Sequence, residues 1–334
     1  MNNPLTKQTK TALMKISIRF KDLLAGAVLI MLSHAGWAQT ADDAIMMNKA
    51  QLCNGLVYMH SSWDHYWEGT LKRTNENLGK VSNSAVMYMG AYGITNDLNV
   101  LVGLPYVWTK ASAGTLHGMS GIQDISVDVK WRAANYKLGP GKISAFLVGG
   151  FSTPLNDYVV DFLPLSIGLG TTNVSGRLIL DYHHKSKAFL TASAAYVWRS
   201  NTTLDRTSYY DTQLHLTNEV QMPNAWTYQV RAGYRGRYLI AEATLNSWYT
   251  LGGFDITRNN MPFPSNKMNS TDVGVGFKYT IPKMVQLAIL GGAAYTVAGR
   301  NVGQSTSYHI GAFYAFYVNK KERMAHQPSP TNKQ

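Results

Sequence analysis

The chain is poor in charge and nearly free of cysteine, and each shortage excludes something. Charged residues fill 15% of its 334 positions, well short of the roughly one quarter usual for a soluble domain. A single cysteine, Cys53, excludes an internal disulfide framework. It is expected as a partly buried free thiol near the start of the folded unit, too far past the leader to carry a lipid anchor. No apolar run approaches the roughly 20 residues that a spanning helix needs, so any membrane crossing falls to strands. G-x-S-x-G, H-E-x-x-H and phosphate-cradling glycine loops are missing as well.

The chain is rich in aromatics and glycine: 20 Tyr, 8 Trp and 29 Gly. The mean hydropathy of -0.16 is low for a membrane protein built of helices. It suits a β-barrel, in which half of each strand faces a wet lumen. Lys7, Lys10, Lys15, Arg19 and Lys21 precede an apolar run from Leu23 to Leu32, followed by Gly36-Trp37-Ala38. That pattern reads as a signal peptide over residues 1–38, with Met14 an alternative start. A periplasmic segment is expected over 39–62, a barrel over 63–318 and a polar, disordered tail over 319–334. The formal charge is +12. The leader holds five basic residues and one acidic, the tail four and one, which leaves the barrel near +5. A moderate positive balance suits anionic lipopolysaccharide or an anion-leaning pore. No basic run interleaves with aromatics, so nucleic acid is not an expected partner.

The decisive pattern has period two. From Trp226 to Arg235 the even positions are apolar and the odd ones polar or glycine; Val273, Val275, Phe277 and Tyr279 likewise alternate with Asp272, Gly274, Gly276 and Lys278. A strand sorts such residues onto two faces, whereas a helix would scatter them. Expected strands are 63–75, 82–94, 98–110, 121–134, 142–153, 171–184, 187–200, 224–235, 237–250, 269–281, 284–297 and 304–318. That is about twelve, an even number, as bacterial single-chain barrels use. Links after even-numbered strands are short, as at Thr95-Asn96-Asp97 and Lys185-Ser186, while 111–120, 154–170, 201–223 and 251–268 are long. Short periplasmic turns and long external loops are the known asymmetry of these barrels. The same topology sets Trp108, Trp198 and Trp226 at an outer aromatic girdle and Trp131 and Tyr234 at an inner one. The expected fold is therefore all-β, a transmembrane antiparallel up-and-down barrel in a bacterial outer membrane.

On the inward faces the alternation places Asp124, Asp128, Lys130, Arg132, Arg177, Asp181, Arg199, Arg231, Glu242 and Lys278. Charges of both signs there either line a selective passage or fill it by pairing. Pro105 interrupts a strand by removing a ladder donor and is the candidate for a lateral opening in the wall. His183 and His184 are adjacent and point to opposite faces of a strand, so no metal site is expected. His215 and Glu219 belong to a long loop, where such residues are usually solvated. No enzyme activity and no cofactor are expected.

Tyr92-Gly93-Ile94-Thr95-Asn96-Asp97-Leu98-Asn99-Val100, then Leu104-Pro105-Tyr106-Val107, then Gly121-Ile122-Gln123-Asp124 and a strand ending Lys130-Trp131-Arg132 together resemble the outer-membrane transporter family named for the meta-pathway of phenol degradation. The match covers mainly residues 85–135, and Gln123 stands where that family more often has glycine. The resemblance implies passage of small hydrophobic or aromatic solutes, and the barrel itself is expected to be a monomer. The competing reading is a closed structural or surface-binding barrel in contact with outer-membrane lipid and lipopolysaccharide.

Overall fold

The computed structural model describes residues 39–211, 213–256 and 261–319. The expected signal peptide and all but the first residue of the expected tail lie outside that range. Twelve long strands form the wall: β1 (Gln51–Trp63), β2 (Val81–Gly93), β3 (Leu98–Ala111), β4 (Asp124–Leu138), β5 (Gly141–Pro154) and β6 (Asn173–His184), then β7 (Ala188–Arg199), β8 (Ala225–Arg235), β9 (Leu239–Thr250), β10 (Asn269–Thr280), β11 (Leu287–Arg300) and β12 (Thr306–Tyr317). Each pairs antiparallel with its sequence neighbours. β1 and β12 close the circle through a ladder from Gln51↔Tyr317 to Ser62↔Thr306. Closure leaves no sheet edge to face lipid, which is what lets strands cross a bilayer.

The alternation in sequence becomes the two surfaces of the wall. Leu147, Leu178, Leu190, Leu245, Val275 and Ile310 stand exposed on the outside, where acyl chains replace water. Trp131 and Tyr234 lie outward toward the short-turn end. Trp108, Trp198 and Trp226 lie outward toward the long-loop end, where Trp226 stacks on Tyr228 and meets Tyr196 edge-on. A chain with this outer surface and a closed antiparallel wall is an outer-membrane β-barrel.

The first strand departs from the sequence expectation. It begins at Gln51 rather than 63, and residues 65–74 form an external hairpin, His65–Glu68 against Leu71–Thr74. The reason is visible on β1: Cys53, Val57 and Met59 face inward while Leu52, Leu56 and Tyr58 face outward. Both faces are apolar, so the alternation that marks other strands is lost there. Pro105 coincides with a one-residue slip between β3 and the β4 side, since Gly103 pairs Ser126 while Tyr106 pairs Ile122. The Gln123 N–H still donates to the Pro105 carbonyl at 3.0 Å, and the β2–β3 register runs unbroken through Met87↔Pro105. The proline makes a bulge in a wall whose pairing continues on both sides.

Candidate functional site

The lumen is occupied at its periplasmic end by the chain's own residues 39–50. Local bonding shapes this segment first. The Asp43 carboxylate accepts from the Thr40 N–H at 2.7 Å, the Thr40 hydroxyl at 3.0 Å and the Ile45 N–H at 2.9 Å. Such carboxylate-to-backbone bonds hold a tight turn without secondary structure. The wall then receives it. Lys130 on β4 donates to Asp43 at 2.9 Å and to the Thr40 carbonyl at 2.9 Å, and its side chain is 0% exposed. Arg177 on β6 pairs with Asp42 at 2.9 Å, and the amides of Gln39 and Asn99 meet at 2.6 Å.

Apolar contacts complete the docking. Ala41, Ala44 and Met46 pack on Phe146, Val148 and Ile179 of β5 and β6. Met47 packs beside Cys53, Val57 and Leu101. Cys53 is a free, buried thiol under this segment. Gly93 permits the approach, since a Cβ there would lie 2.0 Å from the Asn48 carbonyl oxygen. Burial opposes ionisation of Asp43, but the Lys130 and Arg231 charges and the hydrogen bonds from Lys130 and Ile45 outweigh it, so its pKa falls below the ordinary value.

Above the segment lies a cavity of about 550 Å³ with two unlike walls. One wall is apolar, formed by Val57 and Met59 of β1, Met87 and Met89 of β2 and Leu101 of β3; the other carries Gln229, Arg231, Glu242 and Asn246 of β8 and β9. The polar wall is internally satisfied: Arg231 bonds Gln229 at 2.7 Å and Glu242 at 3.1 Å. Ser126 and Asp128 line both this cavity and a second, external one of about 370 Å³ that also holds Asp124, Arg199 and Trp248. The external cavity is roofed by residues 155–172. Tyr158 donates to Asp124 at 2.6 Å, Thr109 donates to the Leu165 carbonyl at 2.6 Å, and Ile167 packs on Ala85 and Val107. Burial first, then the Asp124 carboxylate, push the Tyr158 phenol far above its usual range. Further out, Val160, Leu204, Tyr209, Val220 and Met222 cluster into a loop cap.

The inward-facing charges anticipated from sequence divide between these places. Lys130 and Arg177 hold the segment. Asp128, Arg231, Glu242 and Lys278 line the central cavity. Asp124 and Arg199 lie in the external one, where Arg199 is bonded to the Pro223 carbonyl and sits over Trp248. Asp181 lies low in the wall, bound by Thr191 at 2.5 Å and by Arg235 at 3.1 Å. Arg132 is different. At the irregularity between Arg132 and Ala134 its guanidinium turns to the rim and binds Asp97 and the Asn96 carbonyl. Its register partner is the inward-facing Phe146, so it stands at the periplasmic mouth of the bore with its head group turned to the β2–β3 turn. His183 is bonded to the Arg235 carbonyl and His184 to Ser186, while His215 stacks on Tyr209 and meets Asp211 at 3.0 Å.

Sequence reasoning missed Asp42, Asp43, Arg235 and the methionine wall. One signal for the first two was present. The inward set read from alternation holds six cations (Lys130, Arg132, Arg177, Arg199, Arg231, Lys278) against four acids (Asp124, Asp128, Asp181, Glu242). Asp42 and Asp43 are anions of the sign that surplus calls for, although Asp97 already holds Arg132 and Arg235 adds a further cation.

The family model described as "Putative MetA-pathway of phenol degradation" matches residues 80–310. An outer-membrane channel from Pseudomonas putida F1 superposes with a TM-score of 0.63 at 13% identity, over 81% of this chain and 97% of its own. At that identity the likeness is one of fold. The translocator domain of the autotransporter NalP from Neisseria meningitidis gives 0.43 at 11% identity, over 89% of this chain and 96% of its own. No curated protein sequence matches the chain.

Proposed function

Because the chain belongs to the phenol-degradation MetA-pathway family, we propose that it is a passive, monomeric outer-membrane channel for small hydrophobic or aromatic solutes, seen here in an occluded state. One observation carries this reading: the central cavity with its wall of Met59, Met87 and Met89. A dry cavity of about 150 Å³ suffices for a benzene-sized guest, and about 550 Å³ is available. Methionine is unbranched and polarizable, so it adapts to flat apolar guests and makes favourable sulfur–aromatic contacts. The route would run from the external cavity past Ser126 and Asp128 to this chamber. Release would require the 39–50 segment to yield, since the wall at Pro105 stays hydrogen-bonded on both sides. A channel site must also bind weakly enough to let go.

The test is equilibrium binding of a monocyclic aromatic probe to the purified barrel, paired with block of ionic current in planar bilayers. Binding in the millimolar range is expected, weakened at least about tenfold by Met87→Lys, which places a charge on the apolar wall. A closed structural barrel would show neither binding nor current, even with the segment loosened as described in the Discussion.

A further inference from the structure

Four arginines on the inner face have a carboxylate partner: Arg132 with Asp97, Arg177 with Asp42, Arg231 with Glu242 and Arg235 with Asp181. Arg199 on β7 has none among the described residues, although only 7% of it is exposed. A guanidinium held away from water without a counter-charge is costly. Its Nε and Nη2 both donate to the Pro223 carbonyl, which occupies one side of the fork. Nη1 bonds nothing among the described residues. The end of the fork, Nη1 with the second hydrogen of Nη2, is therefore open.

The nearby acids do not fill that place. Glu219 shares a rim cavity of about 380 Å³ with Arg199 but accepts from Asn201 at 2.7 Å. Asp124 accepts from Tyr158 at 2.6 Å. Asp124 and Asp128 also belong to β4, three strands away: Arg199 pairs Asn173, Asn173 pairs Ser152, and Ser152 pairs Ser126. Three strand spacings are about 14 Å.

The guanidinium instead forms part of the wall of the external cavity of about 370 Å³. Ser152, Asn173 and Ser175 line that cavity with hydroxyl and amide groups, and Val197 and Trp248 with apolar surface. Trp248 is the exception on its strand, since the inward positions before it, Glu242, Thr244 and Asn246, are polar. The Arg199 guanidinium carbon lies 5.8 Å from the centre of the Trp248 ring. A fork presented beside an indole matches a flat body that carries a carboxylate. The fork takes both oxygens and the ring takes the body. We propose that the external cavity binds small aromatic carboxylates, held end-on by Arg199 and packed on Trp248. Its role rests on the channel reading, as capture of the anion ahead of the central chamber; the binding itself does not depend on passage.

Calorimetric titration of the purified full-length barrel at neutral pH compares benzoate with benzamide, which has nearly the same shape and no charge. Benzoate should bind at least about tenfold more tightly. Arg199→Gln, which keeps a donor for the Pro223 carbonyl, should abolish that preference. If this variant fails to fold, Arg199→Lys, which keeps the charge and loses the fork, should lower the preference several-fold. Toluene, through its sensitivity to Met87→Lys, tests the central chamber separately. Toluene binding without a benzoate preference strikes this proposal alone, and a benzoate preference without toluene binding strikes the chamber alone. Equal affinity for benzoate and benzamide in the parent overturns the proposal, as does a preference that Arg199→Gln leaves intact.

Discussion

Replacing Lys130 by methionine removes the latch between the wall and the 39–50 segment while keeping most of the side-chain volume. Lys130 is completely buried and its ammonium makes two bonds to the segment, at 2.9 Å each, to Asp43 and to the Thr40 carbonyl. Removing one partner of a buried pair typically costs about 3–5 kcal/mol. The lower end applies here, because Asp43 keeps its three local donors and Arg231 still supplies favourable charge. A loss of about 3 kcal/mol shifts the docked-to-undocked ratio about a hundredfold. The chain carries its own reporter. Cys53, the sole cysteine of the sequence, is 1% exposed and packed against Met47 of the segment. Maleimide labelling of Cys53 in the folded barrel reads undocking as local opening. Lys130→Met should raise the rate by about two orders of magnitude and raise single-channel conductance with it. Asp43→Asn should act less than additively with it, since the two side chains share one interaction. If the labelling rate of Lys130→Met equals that of the parent while the barrel remains folded, the latch reasoning is wrong.

Three further outcomes follow from the same geometry. Gly93→Val should undock the segment without altering any charge, because even a Cβ would meet the Asn48 oxygen at 2.0 Å; faster Cys53 labelling with an unchanged heat-resistant gel mobility is the expected pair of results. Lowering pH should leave conductance flat from neutrality until below the ordinary aspartate value of 3.8. The folded pKa of Asp43 is depressed, so its contribution is complete above the unfolded value and is lost only as pH falls through the folded one; opening between pH 5 and 6 would contradict this. Tyr158→Phe removes the bond to Asp124 that holds the 155–172 roof. It should cost about 1–2 kcal/mol of loop docking and appear as more frequent openings, with no change in Cys53 labelling.

The wall was legible in the sequence because a strand's period of two is a local property. Eleven of the twelve strands fall close to where alternation placed them, and the turn-and-loop asymmetry fixed their direction. β1 escaped for a physical reason: its inner face packs on Met47 and lines an apolar chamber, so Cys53, Val57 and Met59 are as apolar as their outward neighbours. Arg132 sits at the inner rim with its guanidinium held by Asp97 and Asn96, a contact that periodicity does not announce. What no local pattern could decide was whether the bore is open. The latch joins residues 43 and 130, the roof joins 124 and 158, and the chamber takes its two walls from stretches far apart in the chain. Those contacts exist only once the sheet has closed. By itself the sequence determined a barrel in a membrane; the tertiary structure alone decided that its lumen holds a chamber of about 550 Å³ with the chain's own 39–50 segment as its floor.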